Sequence, residues 1–214
     1  MSIGPIQRKA TIYSEPHEVA TQLHRLGLNR QLLVNALEQG EAQRRLATAL
    51  DPKTAAGYTA WSRTIRILRE GVIELQDGWY VVEWNGIPMA INAHETIALT
   101  ATSGDESTGR HETGVDPKTK NPKGWGTAEV VALNAQESLD IPAPTTWVLL
   151  YDSSADGLHA ELSCPEALAA NGYIEAWSVR IIIGRLDLGE PDAQRDVPEP
   201  PADNPDVTVL RRIS

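Results

Sequence analysis

Apolar positions in the first seventy residues recur at helical spacing. Val19, Leu23 and Leu26 follow the start signal Ser14-Glu15-Pro16, with Ser14 the expected N-cap and Pro16 suited to a first turn. Gly27 stops that run. Leu32, Leu33, Ala36 and Leu37 mark a second helix from Asn29. Gly40 is its weak point, because glycine costs about 1 kcal/mol relative to alanine inside a helix. After Asp51-Pro52 a third stripe of Tyr58, Trp61, Ile65 and Leu68 runs to Gly71. The pattern predicts three helices over residues 14–71.

From Trp79 the period shortens to two. Trp79–Trp84 is aromatic and β-branched, and Asn85-Gly86 behind it is a strong two-residue hairpin signal. Ile87–Ile91 is the expected return strand, with Pro88 near its start or on an edge. Thr96–Thr102 alternates as a half-buried strand does. Trp147–Tyr151 and Leu158–Cys164 flank a second turn, Asp152–Gly157. In its return arm Leu158, Ala160, Leu162 and Cys164 point one way, and His159 and Glu161 the other. A last segment carries Trp177, Val179, Ile181 and Ile183 at period two, and its beginning at Ile174 fits helix or strand. The first twelve residues read as an edge strand or an arm. The expectation is an α+β class, with N-terminal helices packed on a mostly antiparallel sheet. One domain over 1–183 is expected, helical over about 14–71 and sheet over about 78–183.

Three stretches do not read as elements. Residues 103–126 are a long glycine-rich loop, and loops of that length are functional or disordered. Residues 184–206 hold seven acids, two arginines and five prolines, the composition of a solvated linker. Residues 207–214 turn apolar and basic again and read either as a docking peptide that adds a strand to a sheet or as a frayed end.

Composition narrows the function classes. The 214 residues carry a net charge of −10, which argues against broad coating of nucleic acid. No apolar run reaches the roughly 20 residues of a membrane span, and residues 1–9 lack the apolar core of a signal peptide, so a cytoplasmic location is expected. The single Cys164 excludes a disulfide framework within the chain.

The 103–126 loop holds the densest candidate chemistry. Three of the chain's five lysines, Lys118, Lys120 and Lys123, fall within six residues, near Arg110. Ammonium groups and open glycine backbone are what a bound phosphate requires. The order of a P-loop is absent, and Asp105, Glu106, Glu112 and Asp116 offset the local charge, so a solvated surface loop is the competing reading. Asp105 or Glu106 is a candidate base or Mg²⁺ ligand, and Trp125, between Gly124 and Gly126, a candidate stacking surface or lid anchor. His111-Glu112 lacks the second histidine of a zincin, so no metal site is expected, and no cofactor. Cys164 lies on the inward side of its strand and reads as a small hydrophobe. Residues 26–37 resemble the second helix of a helix-turn-helix, with Asn29, Arg30, Gln31 and Asn35 as possible DNA contacts. Arg63, Arg66 and Arg69 read as one solvated stripe.

Six segments carry a wider likeness: Ala60–Arg66, Gly104–Gly109, Pro117–Gly124, Thr146–Leu150, Ala160–Pro165 and Trp177–Ile183. On these the chain resembles a family of uncharacterised bacterial proteins met in mobile-element and accessory-genome settings, over about residues 26–183. Cys164 departs from it, where leucine is expected. The resemblance implies a bacterial accessory protein and assigns no activity or site. The leading expectation is therefore a non-enzymatic interaction protein of a mobile-element or defence-related system. It would present the 103–126 loop to a protein partner and pair with itself, if at all, through the C-terminal segment. The alternatives are a phosphate-ligand or nucleotide-binding protein or enzyme using Asp105, Glu106, Arg110, Lys118, Lys120, Lys123 and Trp125, and a DNA-binding protein through residues 26–37.

Overall fold

Two glycines that weaken a helix in isolation instead let two helices approach each other. Helix α1 (Pro16–Arg25) has Pro16 in its first turn and Glu15 rather than Ser14 at the N-cap. Gly27 takes φ +64° just beyond its end, the left-handed position that glycine adopts without steric penalty. Helix α2 (Arg30–Arg44) is capped by Asn29, whose side chain accepts from the Leu32 amide at 2.9 Å. It runs unbroken through Gly40, because a Cβ there would lie 2.0 Å from Thr64 Oγ1 and 2.9 Å from the Ala60 carbonyl. Both contacts belong to helix α3 (Ala55–Glu74), which continues past Gly71, the residue expected to end it. A Cβ at Gly71 would touch the Leu32 side chain at 3.1 Å, so both glycines serve the α2–α3 contact.

The computed structural model describes residues 9–94, 96–112, 114–134, 144–154 and 156–187. Among these, seven strands form one mixed sheet. They are β1 (Thr11–Tyr13), β2 (Trp79–Trp84), β3 (Ile87–Asn92), β4 (Ile97–Ser103), β5 (Thr145–Ser154), β6 (Gly157–Leu168) and β7 (Ile174–Leu186). Their spatial order is β1-β7-β6-β5-β4-β3-β2. The pairs β1–β7 and β4–β5 are parallel and the other four antiparallel. The class is α+β, and the parallel pairs are what the sequence pattern did not foresee. Asn85 and Gly86, both at positive φ, close the β2–β3 hairpin as their sequence predicts.

Alternate residues of the central strands enter different cores. Leu99, Leu149, Leu162 and Ile181 join Leu23, Leu33, Leu37 and Leu68 of α1–α3 in one apolar cluster. On the opposite face Val148, Leu150 and Trp177 meet Val131 of a fourth helix, α4 (Trp125–Asn134), and Val130 meets Met89, Ile91 and Ala98. Helix α4 lies in the crossover between β4 and β5, as a parallel pair requires. Its sequence, WGTAEVVALN, carries no amphipathic stripe, so helical periodicity misses it.

Strands also run further than their hydrophobic patterns. β5 continues through Asp152-Ser153-Ser154, expected as a turn, and β7 includes Ile174 and extends to Leu186. The expected linker beyond residue 187 and the 207–214 segment lie outside the described residues.

Candidate functional site

Much of the 103–126 loop is packed onto the sheet. Gly104 bridges Thr119, the Asp105 amide donates to the Lys118 carbonyl at 2.9 Å, and the Lys120 amide donates to the Ser103 carbonyl at 2.9 Å. The Trp177 indole N–H donates to the Pro117 carbonyl at 2.7 Å. Beneath the loop lies a buried ion pair. Glu161 on β6 and Arg180 on β7, diagonal neighbours across the pair, are 0% and 1% exposed and joined by two hydrogen bonds of 3.0 and 2.7 Å. Burial alone would depress the Arg180 guanidinium, but Glu161 and then Asp116 outweigh it and raise its pKa. Arg180 also donates to Asp116 in the loop at 3.0 Å, and Glu161 accepts from the Gly109 amide at 2.8 Å and from Ser163 Oγ at 2.7 Å. Gly109, at φ +69°, sits where a Cβ would meet the Ala160 amide nitrogen at 2.7 Å. The polar face of β6, read from sequence as the outer side of a half-buried strand, is thus a clamp on the loop.

The loop's end borders a cleft made where the sheet opens. β3 and β4 pair only from Ala90↔Leu99 to Asn92↔Ile97, while β4 stays paired with β5 as far as Ser103↔Tyr151. Extending that register places Pro88 opposite Ala101, and proline has no N–H to offer. The Ala101 carbonyl accepts instead from the Trp61 indole at 3.0 Å, and Thr100 Oγ1 donates to the Pro88 carbonyl at 2.9 Å. The resulting cleft of about 680 Å³ lies near the C-terminal ends of the parallel β4–β5 pair. Its walls are Thr54, Gly57, Tyr58 and Trp61 at the start of α3, Thr127 and Val130 of α4, the Gly86–Pro88 turn, and Thr102, Ser103 and Asp152 of the central strands.

Charge concentrates here against the trend of the chain. In a protein of net charge −10, Arg44, Lys53, Lys120 and Lys123 line the cleft with one carboxylate, Asp152. Lys123 donates to Thr102 Oγ1 at 2.7 Å and makes no ion pair among the described residues; burial pushes its pKa down. Arg44 is shared between Glu41 at 3.3 Å and Ser153 Oγ at 2.7 Å. Asp152 is 7% exposed, and its Oδ2 is buried without a hydrogen-bond partner among the described residues. Burial raises its pKa, opposed by the charges of Lys120, Arg110 and His159. Across the strand, His159 Nε2 is also buried without a hydrogen bond among the described residues, and burial, then Arg110, lowers that imidazole's pKa.

Of the residues singled out from sequence, Lys120 and Lys123 come together at the cleft. The others lie elsewhere. Lys118 sits over the Tyr173 ring, 5.9 Å from its centre. Arg110 pairs with Asp156 at 2.6 Å and bonds the Glu106 carbonyl. Asp156 itself is lowered to about 2, first by the Ser154 hydroxyl and then by Arg110 against burial. Asp105 accepts from the Ser107 amide at 3.1 Å in a local turn, and Glu106 is exposed. Trp125 opens α4 and is 72% exposed. Asn29 is used as a helix cap, and Arg30 donates to the Ile183 carbonyl at 3.2 Å. Cys164 is buried, and burial raises its thiol pKa.

Sequence reasoning missed Asp152, Tyr58 and Trp61 as site residues. Asp152 was hidden in an apparent turn, and the two aromatics in a stripe that also reads as core. Among the described residues, no group of three or more His, Cys, Asp or Glu is placed to hold a metal ion, and no helix is long and apolar enough to cross a membrane. No family model, curated protein or solved structure matches the chain.

Proposed function

We propose that this protein binds a small phosphate-bearing ligand in the β3–β4 cleft. The observation that carries the reading is the convergence of Lys120 and Lys123, neither in an ion pair among the described residues, on a cavity of ligand size in an acidic protein. A partly desolvated ammonium gains most from an entering anion, because the low dielectric that depresses its pKa also strengthens its attraction to opposite charge. Threonine hydroxyls at 54, 102 and 127 supply neutral donors around it, and Thr54, the N-cap of α3, makes no side-chain cap bond. The clamp under the loop supports this role by fixing the backbone that leads to the two lysines. The test is a thermal-shift and titration panel of phosphate metabolites on the wild type and on Lys120→Ala/Lys123→Ala. Binding that survives the double substitution unchanged removes the reading.

A second reading, a macromolecular partner on the 103–126 loop, rests on Trp125, a residue that is 72% exposed. Large aromatics that stand in solvent are enriched at recognition surfaces. Its test is Trp125→Ala: a partner captured equally well by the variant sinks it.

A further inference from the structure

Resting on the phosphate reading, we infer that the ligand is a nucleotide, with its base held against Tyr58 and Trp61 and its phosphates at Lys120 and Lys123. The cleft has two chemically distinct parts. The Lys120 and Lys123 ammonium groups come from the loop that follows β4, whereas the first turns of α3, which Lys53 precedes, bring an aromatic pair. Tyr58 and Trp61 lie 5.9 Å apart at an interplanar angle of 46°. The two rings have different freedom. Trp61 is fixed by its hydrogen bond to the Ala101 carbonyl, the strand acceptor that Pro88 leaves free, so its plane is set before any ligand arrives. Tyr58 is 64% exposed and its hydroxyl makes no hydrogen bond among the described residues, which leaves its ring able to turn onto a flat partner.

Space is available beside them. An adjoining groove of about 560 Å³ between α3 and β2 shares Tyr58, Trp61 and Pro88 with the cleft, so the aromatic pair borders both hollows. Gly57 and Gly86 line the cleft, and a Cβ built on either meets nothing within 4 Å. An inorganic phosphate or a sugar phosphate would use the cationic part and leave the aromatic pair in water. A nucleotide uses both, since every base has a π-face to stack and base–aromatic stacking is sequence-tolerant. The stacking surface suggested by sequence, Trp125, is not among the residues that line this cavity.

Isothermal titration of ADP, ribose 5-phosphate and inorganic pyrophosphate into the wild-type protein, Tyr58→Ala and Tyr58→Phe separates the outcomes. Tyr58 is exposed, so neither substitution threatens the fold. ADP is expected to bind at least about fivefold more tightly than the other two, and Tyr58→Ala to remove about fivefold or more of that affinity. Tyr58→Phe should restore it, and pyrophosphate affinity should not change in either variant. ADP affinity equal to that of pyrophosphate, or indifferent to Tyr58→Ala, overturns the nucleotide assignment and leaves the phosphate reading standing. No binding by any of the three overturns both.

Discussion

Glu161 is the single side chain on which the placement of the loop most depends. Its carboxylate accepts four hydrogen bonds, from Arg180 Nε and Nη2, the Gly109 amide and Ser163 Oγ, at 2.7–3.0 Å with the residue fully buried. In Glu161→Gln one oxygen becomes an NH₂ group, which is a donor only. On the Oε2 side it would face two further donors, Arg180 Nη2 and the Gly109 amide. On the Oε1 side it would face Arg180 Nε and a hydroxyl that is free to rotate. Either placement leaves donors opposed, and among the described residues Arg180 retains only the partly exposed Asp116 as counter-charge. Breaking one side of a buried pair costs about 3–5 kcal/mol. For a chain of this size that lowers Tm by roughly 6–20 °C, at about 2–4 °C per kcal/mol. A double-mutant cycle of Glu161→Gln, Arg180→Met and the pair, followed by urea denaturation, isolates the interaction. The double variant should be less destabilised than the sum of the singles by at least about 2 kcal/mol. A Glu161→Gln cost below about 1 kcal/mol, or additive single effects, would refute the clamp.

Other outcomes follow from the same geometry. Gly109→Ala forces a Cβ against the Ala160 backbone at positive φ, and should cost about 2 kcal/mol or more and weaken ligand binding with it, as denaturation and titration on one sample would reveal. Gly40→Ala should destabilise by a similar amount through the α2–α3 contact while sparing ligand affinity in whatever fraction stays folded; native-gel titration checks this. Asp152 has a folded pKa above its unfolded value of 3.8, so its contribution favours folding in acid and is lost as pH rises through the folded pKa. Asp152→Asn should therefore be more stable than wild type at pH 7, by a margin that shrinks towards pH 4; a variant less stable at pH 7 contradicts this. Lys123 titrates below its ordinary 10.5 because of burial, and a bound anion favours its charged form, so phosphate affinity should fall as pH rises towards 10.5, whereas a flat profile would mean its charge is not used.

The helices that sequence periodicity identifies, such as α1 and α3, have one wet and one dry face, and the β2–β3 hairpin is marked by its Asn85-Gly86 turn. Helix α4 carries no amphipathic stripe, and the ends of β5 and β6 run past the buried middles of those strands, so neither is marked by the alternation that reveals an element. Coverage of both faces in the middle of the sheet explains Glu161 and Arg180, ionic residues at positions that read as solvent-facing until the loop is laid over them. Of the candidate site, the lysines were legible because three fall within six residues of a lysine-poor chain. Which of them converge was not: Lys118 lies over the Tyr173 ring and outside the lining of the cleft, a placement that no local pattern encodes. Tyr58 and Trp61 become site residues only because Pro88 parts β3 from β4, a consequence of register that no local pattern encodes.

The most direct test of the central claim is a calorimetric titration of the wild-type protein and Lys120→Ala/Lys123→Ala with a panel of phosphate metabolites, paired with thermal unfolding of the same samples. A ligand at a hundred times its Kd stabilises the native state by about 2.7 kcal/mol. At about 2–4 °C per kcal/mol, that raises Tm by roughly 5–11 °C. The cleft account predicts at least one such ligand, with heat and stabilisation both lost in the double variant. A panel that leaves the wild type unmoved, or a ligand that stabilises both proteins equally, would contradict it.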